Sequence, residues 1–322
     1  MTRSIARTVG TTHTVFVAAP ARAVYSLIAD VSHWAFLFSP VVHAERLSGG
    51  MTEERVRLWT VGNGAVRRWT SRRSLDRDAL RIRFRHEDPQ PPVASLSGEW
   101  VFVPLPGNAT SVVLLHEFQA TGDDPGNTAL IKQVVDRNST AELAAVKRTA
   151  EQGDRLAALT HTFSESVVIR GGLGPVYDFL YQAENWPRLL PHVSQVTLDE
   201  TVPNVQTIEM DMTGPGGSAH TLRLVRVCSP YHSIVYKQTE PPDAVAAHAG
   251  AWLLYPMAEG VRVTTASTLL LRPDKAAGPP GRPVGADRRG ELIRQALREN
   301  CRAMLLYTRD AAERRAGPGD AA

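Results

Sequence analysis

Trp69, Ser71 and Arg73 are spaced by two in a segment, Ala65–Leu75, that alternates like a strand. Residues two apart on a strand share a face. An indole, a hydroxyl and a guanidinium therefore point the same way, with Arg67 beside them. The face carrying Trp69 is the expected interior. An inward arginine stays charged and offers five donors, which suits it to an oxygen that gains negative charge. The other reading is that Trp69 packs on the surface along arginine stems. A second alternating segment, Ser111–Gln119, sets His116 in a row with Val112, Leu114 and Phe118. An imidazole can give or take a proton near neutrality, and a lone histidine in an apolar row can equally be a satisfied core residue. Two long helical stripes also carry polar groups. Glu142 recurs with Ile131, Val135, Asn138 and Val146, and Asn300 with Ile293, Ala296, Met304 and Tyr307. Buried polar groups cost free energy unless they are hydrogen-bonded. Either these stripes face a polar ligand or water, or they are exposed helix edges.

The elements that position these residues occur twice. Trp34 and Trp100 reappear as Trp186 and Trp252, each 152 residues later, and Pro104 reappears as Pro256 at the same interval. Arg73 reappears as Arg226, and Gly98-Glu99-Trp100 as Gly250-Ala251-Trp252. The period is far longer than a solenoid repeat. It predicts two copies of one domain, 1–157 and 158–322, in a chain of 322 residues. Each half opens with a strand (Thr12–Val17, Thr162–Ile169) and a short helix (Ala21–Asp30, and from Gly174 to Glu184). A helical piece, Trp34–Ser39, follows in the first half. Six alternating segments come next in each, separated by turn signals. In the first half these are Val41–Leu47, Glu53–Thr60, Ala65–Leu75, Ala79–Arg85, Ser95–Pro104 and Ser111–Gln119. A long helix closes each half, Thr128–Gln152 and Glu291–Arg315. The Pro/Gly-rich segment 272–290 reads as a mobile loop and 316–322 as a disordered tail. The fold class is α+β, a curved antiparallel sheet around a terminal helix with an interior pocket.

Composition excludes several functions. A net charge of +3 is too small to argue for nucleic-acid binding. No apolar run approaches the roughly 20 residues that span a bilayer, and no signal-peptide pattern opens the chain. The two cysteines, Cys228 and Cys301, form neither a disulfide framework nor a metal site, which fits a reducing cytoplasm. G-x-G-x-x-G, Walker, H-E-x-x-H and G-x-S-x-G motifs are absent. Catalysis would rest on arginine, serine, histidine, carboxylates and shape, with no metal or cofactor. Eight arginines fall between positions 67 and 85. They are either a solvated face or a docking face for an acidic partner.

The residues together resemble the di-domain aromatase/cyclases of bacterial type II polyketide synthases, which have two helix-grip (START-like) domains. The resemblance rests on Asp30-Val-Ser-His-Trp34 with Phe38-Ser39, Trp69-Thr-Ser-Arg-Arg73, Gly98-Glu-Trp100 and His116-Glu-Phe118. The second half adds Ala183-Glu-Asn-Trp-Pro187, Leu222–Arg226, Val235–Gln238, His248–Trp252 and Asn300. It implies a poly-β-ketone already reduced at one ketone and carried on the phosphopantetheine arm of an acyl carrier protein. It also implies first-ring aldol closure between the seventh and twelfth carbons and dehydration to an aromatic ring, beside the synthase's ketosynthase and ketoreductase. Nucleic acid and membrane are not implied partners. Arg73 falls on the family's pocket arginine, with Ser71 and Trp69 in step. Trp34, Phe38, Ser39 and Trp100 fall on pocket-lining positions, and Trp186 and Trp252 repeat them. His116 stands where single-domain relatives have glutamine, and Val41 where they have tyrosine. The family's helix asparagine becomes Glu142 in the first half and stays Asn300 in the second. Arg226 is kept, but Leu222 and Leu224 replace Trp69 and Ser71.

On this reading Arg73 holds the oxyanion of the aldol, Ser71 is a second donor or anchors water, and His116 is the base. The tryptophans press the chain into one fold. Arg68, Arg72, Arg77 and Arg81 receive the carrier protein. Two alternatives stay open: a non-catalytic carrier or chaperone of the same fold, and a second domain that only organises the complex. Turnover at substoichiometric protein separates an enzyme from a chaperone.

Overall fold

The computed structural model describes residues 7–272, except 63, 214–216 and 218, together with residues 284–316. The chain divides into two compact units, Met1–Leu156 and Ala157–Ala322. The first runs β1 (Val9–Val17), α1 (Ala21–Ala29), α2 (Trp34–Leu37), β2 (Val41–Gly49), β3 (Glu53–Gly62), β4 (Ala65–Asp76), β5 (Arg81–His86), β6 (Val93–Leu105), β7 (Ala109–Ala120) and α3 (Pro125–Leu159). Its seven strands form one antiparallel sheet in the order β1-β7-β6-β5-β4-β3-β2.

Local chemistry sets these elements. Pro20, extended at φ −63° and ψ 139°, precedes α1, whose apolar stripe buries Val24, Tyr25 and Ile28. The Asp30 carboxylate accepts from the Ser32 amide at 3.0 Å and starts the turn into α2. Gly107 and Asn108 both take positive φ, 75° and 55°, which closes the β6–β7 hairpin with the twist its strands need. The inner faces of β5, β6 and β7 supply Ile82, Phe102, Val112 and Leu114 to one core with α1 and with Leu143 and Val146 of α3. A smaller cluster joins Phe118 and Ala120 to Ile131 and Val135 of α3.

The second unit repeats the order: β8 (Thr160–Ile169), α4 (Leu173–Tyr181), α5 (Trp186–Leu189), β9 (Val193–Val202), β10 (Val205–Thr213), β11 (Ala219–Ser229), β12 (Ser233–Gln238), β13 (Val245–Met257), β14 (Gly260–Leu271) and α6 (Val284–Ala316). Its sheet order is β8-β14-β13-β12-β11-β10-β9, the same topology. Each unit is a helix-grip domain.

Three expectations need correction. Residues 284–290, expected as part of a mobile loop, belong to α6. The prolines of that segment stop at Pro283, so no proline interrupts the helix after it. Residues 273–283 and 317–322 of the expected loop and tail lie outside the described residues, and Ala316 closes α6. Helix α3 continues past Gln152 to Leu159 after a non-helical Gly153 at φ 42°.

The helix stripes are also rotated from the expected ones. Ser139, not Asn138, is buried on α3, and Cys301, not Asn300, on α6; both asparagines are exposed. Serine and cysteine complete the buried faces, and an apolar count passes over a serine. The helices align differently as well. The Glu151 carboxylate accepts from the Ala18 amide at 2.8 Å, and Glu313 accepts from the Arg170 amide at 3.1 Å. These matched caps pair Asn138 with Asn300 and Glu142 with Met304. Glu142 is therefore not the counterpart of Asn300.

Candidate functional site

In the first domain, the inward residues of β4 change character along the strand. Arg73 is 3 % exposed and Ser71 4 %, whereas Trp69 is only half-buried. Phe84 and His86 on β5, His116 on β7 and Glu142 on α3 are half-buried too. Arg73 lies beneath α1, whose Ile28 carbonyl it meets, and the inward side chains farther along the sheet are less buried.

Arg73 is held beneath α1 by two hydrogen bonds. Its Nη1 donates to Glu54 Oε1 at 2.8 Å and its Nη2 to the Ile28 carbonyl at 2.5 Å. Its guanidinium lies 5.0 Å from the Trp34 ring centre, a cation–π contact. Glu54 is itself buried, and its other oxygen accepts from Arg46 Nε. Burial lowers Arg73 to about 10, against the opposing pull of Glu54, so the guanidinium remains charged at neutral pH. Glu54 shares the inward face of β3 with Val56 and Leu58. That alternation was readable, but a carboxylate in a strand is usually read as surface.

Farther along the sheet, Trp69 and His86 rings lie 5.5 Å apart. Phe84 meets His116 edge-on at 5.4 Å, and His116 Nδ1 stands 3.4 Å from Ser139 Oγ. Gly98 explains why Phe84 can lie there: a Cβ at that position would come within 2.4 Å of the ring. The repeated Gly-x-Trp motif is thus a seat for a β5 aromatic. Burial holds His86 and His116 down to about 4, so both are neutral. Burial pushes Glu142 up to about 7, so its carboxyl still carries a proton near neutrality. Ser139 and Glu142 are three apart on α3 and share a face.

The other expected residues fall in two groups. Trp34 packs on the core, and Phe38 and Trp100 are buried in it, with Trp100 and Phe102 rings stacked at 6.4 Å. Ser39 and Asn300 are exposed, outside the interior wall expected for them. Glu54, Phe84, His86 and Ser139 were missed by the sequence reading.

The second domain rebuilds the setting of the arginine. Arg226 Nε donates to Gln206 Oε1 at 3.0 Å, Nη1 to the Leu180 carbonyl at 2.7 Å and Nη2 to the Tyr181 carbonyl at 2.7 Å. It lies 5.3 Å from the Trp186 ring, and the Trp186 indole N–H donates to the Phe179 carbonyl at 2.9 Å. Gln206 stands where the first domain has Glu54, and Glu200 backs it at 2.8 Å. Trp252 is buried. Leu222 and Leu224 leave the β11 wall apolar where β4 carries Trp69 and Ser71.

Aromatic, imidazole and carboxyl side chains on the inward faces of a helix-grip sheet and helix suit a small organic ligand. Residues 8–151 match the family described as polyketide cyclase/dehydrase and lipid transport. The chain is 38% identical over 306 residues to the granaticin polyketide synthase bifunctional cyclase/dehydratase of Streptomyces violaceoruber, covering 94% of each. It is 38% identical over 313 residues to the actinorhodin counterpart of Streptomyces coelicolor, covering 93% of this chain and 96% of that one. The crystal structure of the di-domain ARO/CYC BexL from the BE-7585A biosynthetic pathway superposes with a TM-score of 0.86 at 40% identity, covering 95% and 99%. The chain belongs to the polyketide cyclase/dehydratase family of type II polyketide synthases.

Proposed function

We propose that the first domain folds an acyl-carrier-protein-bound, ketoreduced poly-β-ketone, closes its first ring between the seventh and twelfth carbons, and starts its dehydration. The observation that supports this is the grouping of Trp69 with His86, of Phe84 with His116 and of His116 with Ser139, one helical turn from Glu142. An aldol closure removes a proton from a methylene, forms a carbon–carbon bond and delivers a proton to a ketone oxygen. A carboxyl near 7 can supply that proton, so Glu142 is assigned the donor role. The methylene between two carbonyls is acidic enough for a weak base. His116, neutral and beside Ser139, takes that part. Trp69 and Phe84 flatten the chain between them.

Arg73 is given a different part from the one its spacing suggests. Two of its five N–H groups are held by Glu54 and the Ile28 carbonyl, which fix the guanidinium beneath α1. It serves as a positioning residue, fixing β4 and its Ser71 and Trp69 against α1. Arg226 does the same for the second domain. An acidic carrier protein meets the outer arginines of β4 and β5, beside the ketosynthase and ketoreductase. The free thiols of Cys228 and Cys301 support a cytoplasmic setting.

The test is product analysis from a minimal synthase and ketoreductase with this protein at substoichiometric amount. One aromatised ring in place of shunt products, lost in Glu142→Gln and in His116→Ala, is expected. A product effect that saturates at one equivalent of protein would instead identify a chaperone.

A further inference from the structure

The two sheets share a register, so inward side chains of the first domain have counterparts in the second. Phe84, Gly98 and His116 stand in one row across β5, β6 and β7, as Tyr236, Gly250 and Ser267 do across β12, β13 and β14. Ser71 faces His86 as Leu224 faces Gln238. The matched helix caps set Glu142 against Met304. The three groups that could carry a proton in the first domain, His86, His116 and Glu142, are thus Gln238, Ser267 and Met304 in the second. None of these three titrates near neutrality. One imidazole is gained: His248 takes the place of Leu96. It is tied into the wall at 7 % exposure, with Nδ1 3.1 Å from Gln238 Oε1 and Nε2 2.9 Å from Ser267 Oγ. Gln238 and Ser267 are themselves buried, so these polar groups satisfy one another inside the wall.

Met212, Leu222, Tyr236, Met304 and Tyr307 pack against the buried core of this domain and stay half-buried. Inward side chains that keep accessible surface line a space, whereas those without it fill one. Burial raises the Tyr236 hydroxyl above its ordinary value although the ring keeps accessible surface, so that space is enclosed by protein and is not bulk water. Tyr236 lies across Gly250, where a Cβ would come 2.5 Å from its hydroxyl and 2.6 Å from its ring. Glycine lets the ring lie along the sheet. The rings of Tyr236 and Tyr307 offer stacked or edge-on contacts, and the two methionines offer polarizable sulfur, which also favours aromatic rings. An unpaired charge in such surroundings costs much free energy. Arg226, farther along β11, is 3 % exposed and presents no counter-charge there. His192, whose ring lies 5.9 Å from Tyr307, is kept neutral by burial.

We infer that the second domain holds a binding site for a neutral, flat aromatic ring system, lined by Leu222, Tyr236, Met304 and Tyr307. The inference rests on the proposed reading of the first domain, whose aromatised product is of that class. The same sheet and helix thus present proton-carrying groups in one domain and an apolar, aromatic wall in the other. The ligand is held by ring contacts and by exclusion of charge.

The test titrates the full chain, isotope-labelled at its methionine methyls, with acetylnaphthalene as the neutral probe and naphthoate as its charged analogue. Acetylnaphthalene is expected to bind saturably and to shift the Met212 and Met304 methyl signals, leaving that of Met51, 92 % exposed on the first domain, in place. Naphthoate is expected to bind about tenfold more weakly or worse. Met304→Glu gives this site the carboxyl of the first domain, and Leu222→Trp fills it. Each is expected to weaken acetylnaphthalene by about tenfold, with folding checked by circular dichroism. No saturable binding, binding that moves neither methyl, naphthoate as tight as the ketone, or wild-type affinity in both folded variants would overturn the site. The reading of the first domain is judged separately from carrier-bound products. A chain that binds the probe but leaves the synthase product unchanged supports the site and sinks that reading, and one that makes the aromatised ring but binds no probe does the reverse.

Discussion

The Arg73 guanidinium and the Glu54 carboxylate lie 2.8 Å apart with 3 % and 2 % exposure. Breaking a buried pair strands an unpaired charge, which costs about 3–5 kcal/mol. Glu54→Gln is expected to destabilise the first domain on that scale, read by chemical denaturation. The second domain tolerates Gln206 at the same place because Arg226 also has two carbonyls and Gln206 leans on Glu200. Gln206→Leu, which leaves Arg226 both carbonyls and leaves Glu200 its Tyr181 and Asn204 donors, is therefore expected to be milder. Equal losses in the two variants would show that the ion pair is not what holds Arg73.

Glu142 makes stability pH-dependent. Its folded-state value of about 7 is raised above the ordinary 4.5 by burial, so the folded state holds a proton that the unfolded state has lost. The stability it contributes is fully present below pH 4.5 and is lost as pH rises through about 7. Glu142→Gln is expected to flatten the stability profile in that window. A cyclase rate that needs the protonated carboxyl should fall over the same range. If denaturation midpoints of wild type and Glu142→Gln run parallel from pH 4 to 8, the folded state does not hold a proton on Glu142.

The sheet, the duplication and the inward row Trp69–Ser71–Arg73 were legible because strand alternation and a fixed interval of 152 residues leave marks in residue type. The helix faces were less so. Ser139 was passed over on α3 and Cys301 was displaced by its neighbour Asn300, although both turn inward on the packed helices. Glu54 and His86 escaped because polar residue types were read as outward. A carboxylate and an imidazole in a strand read as surface, and their roles depend on the register in which β3 meets β4 and β4 meets β5. Arg73 was correctly placed inside, but its partners, contributed by α1 and β3, change what it can do.

Gly98 offers a direct test of the aromatic seat. A Cβ there would meet the Phe84 ring at 2.4 Å and the Leu115 carbonyl at 2.3 Å. The carbonyl belongs to the sheet and cannot yield easily. Gly98→Ala is expected to cost about 1–3 kcal/mol and to shift Phe84 off His116. The shift should appear as a changed His116 imidazole signal in NMR. An unperturbed His116 in a fully stable Gly98→Ala protein would show that the close approach is not needed.

The outer face of β4 and β5, with the turn that joins them, makes the docking proposal specific. Arg72 pairs with Glu87 at 3.5 Å, and Arg81 with Glu99 at 3.2 Å. Arg68 and Arg77 have no carboxylate within salt-bridge distance among the described residues. Charges already paired on their own surface attract a partner less than uncompensated ones. Arg68→Glu and Arg77→Glu are therefore expected to weaken binding to an acidic carrier protein more than Arg72→Glu and Arg81→Glu. Binding should also fall steeply between low and physiological salt, because the Debye length shrinks from about 30 Å at 0.01 M to about 8 Å at 0.15 M. Titration by calorimetry or fluorescence anisotropy at both ionic strengths measures this. Equal affinities for all four variants, or binding that ignores salt, would move the docking surface away from this face.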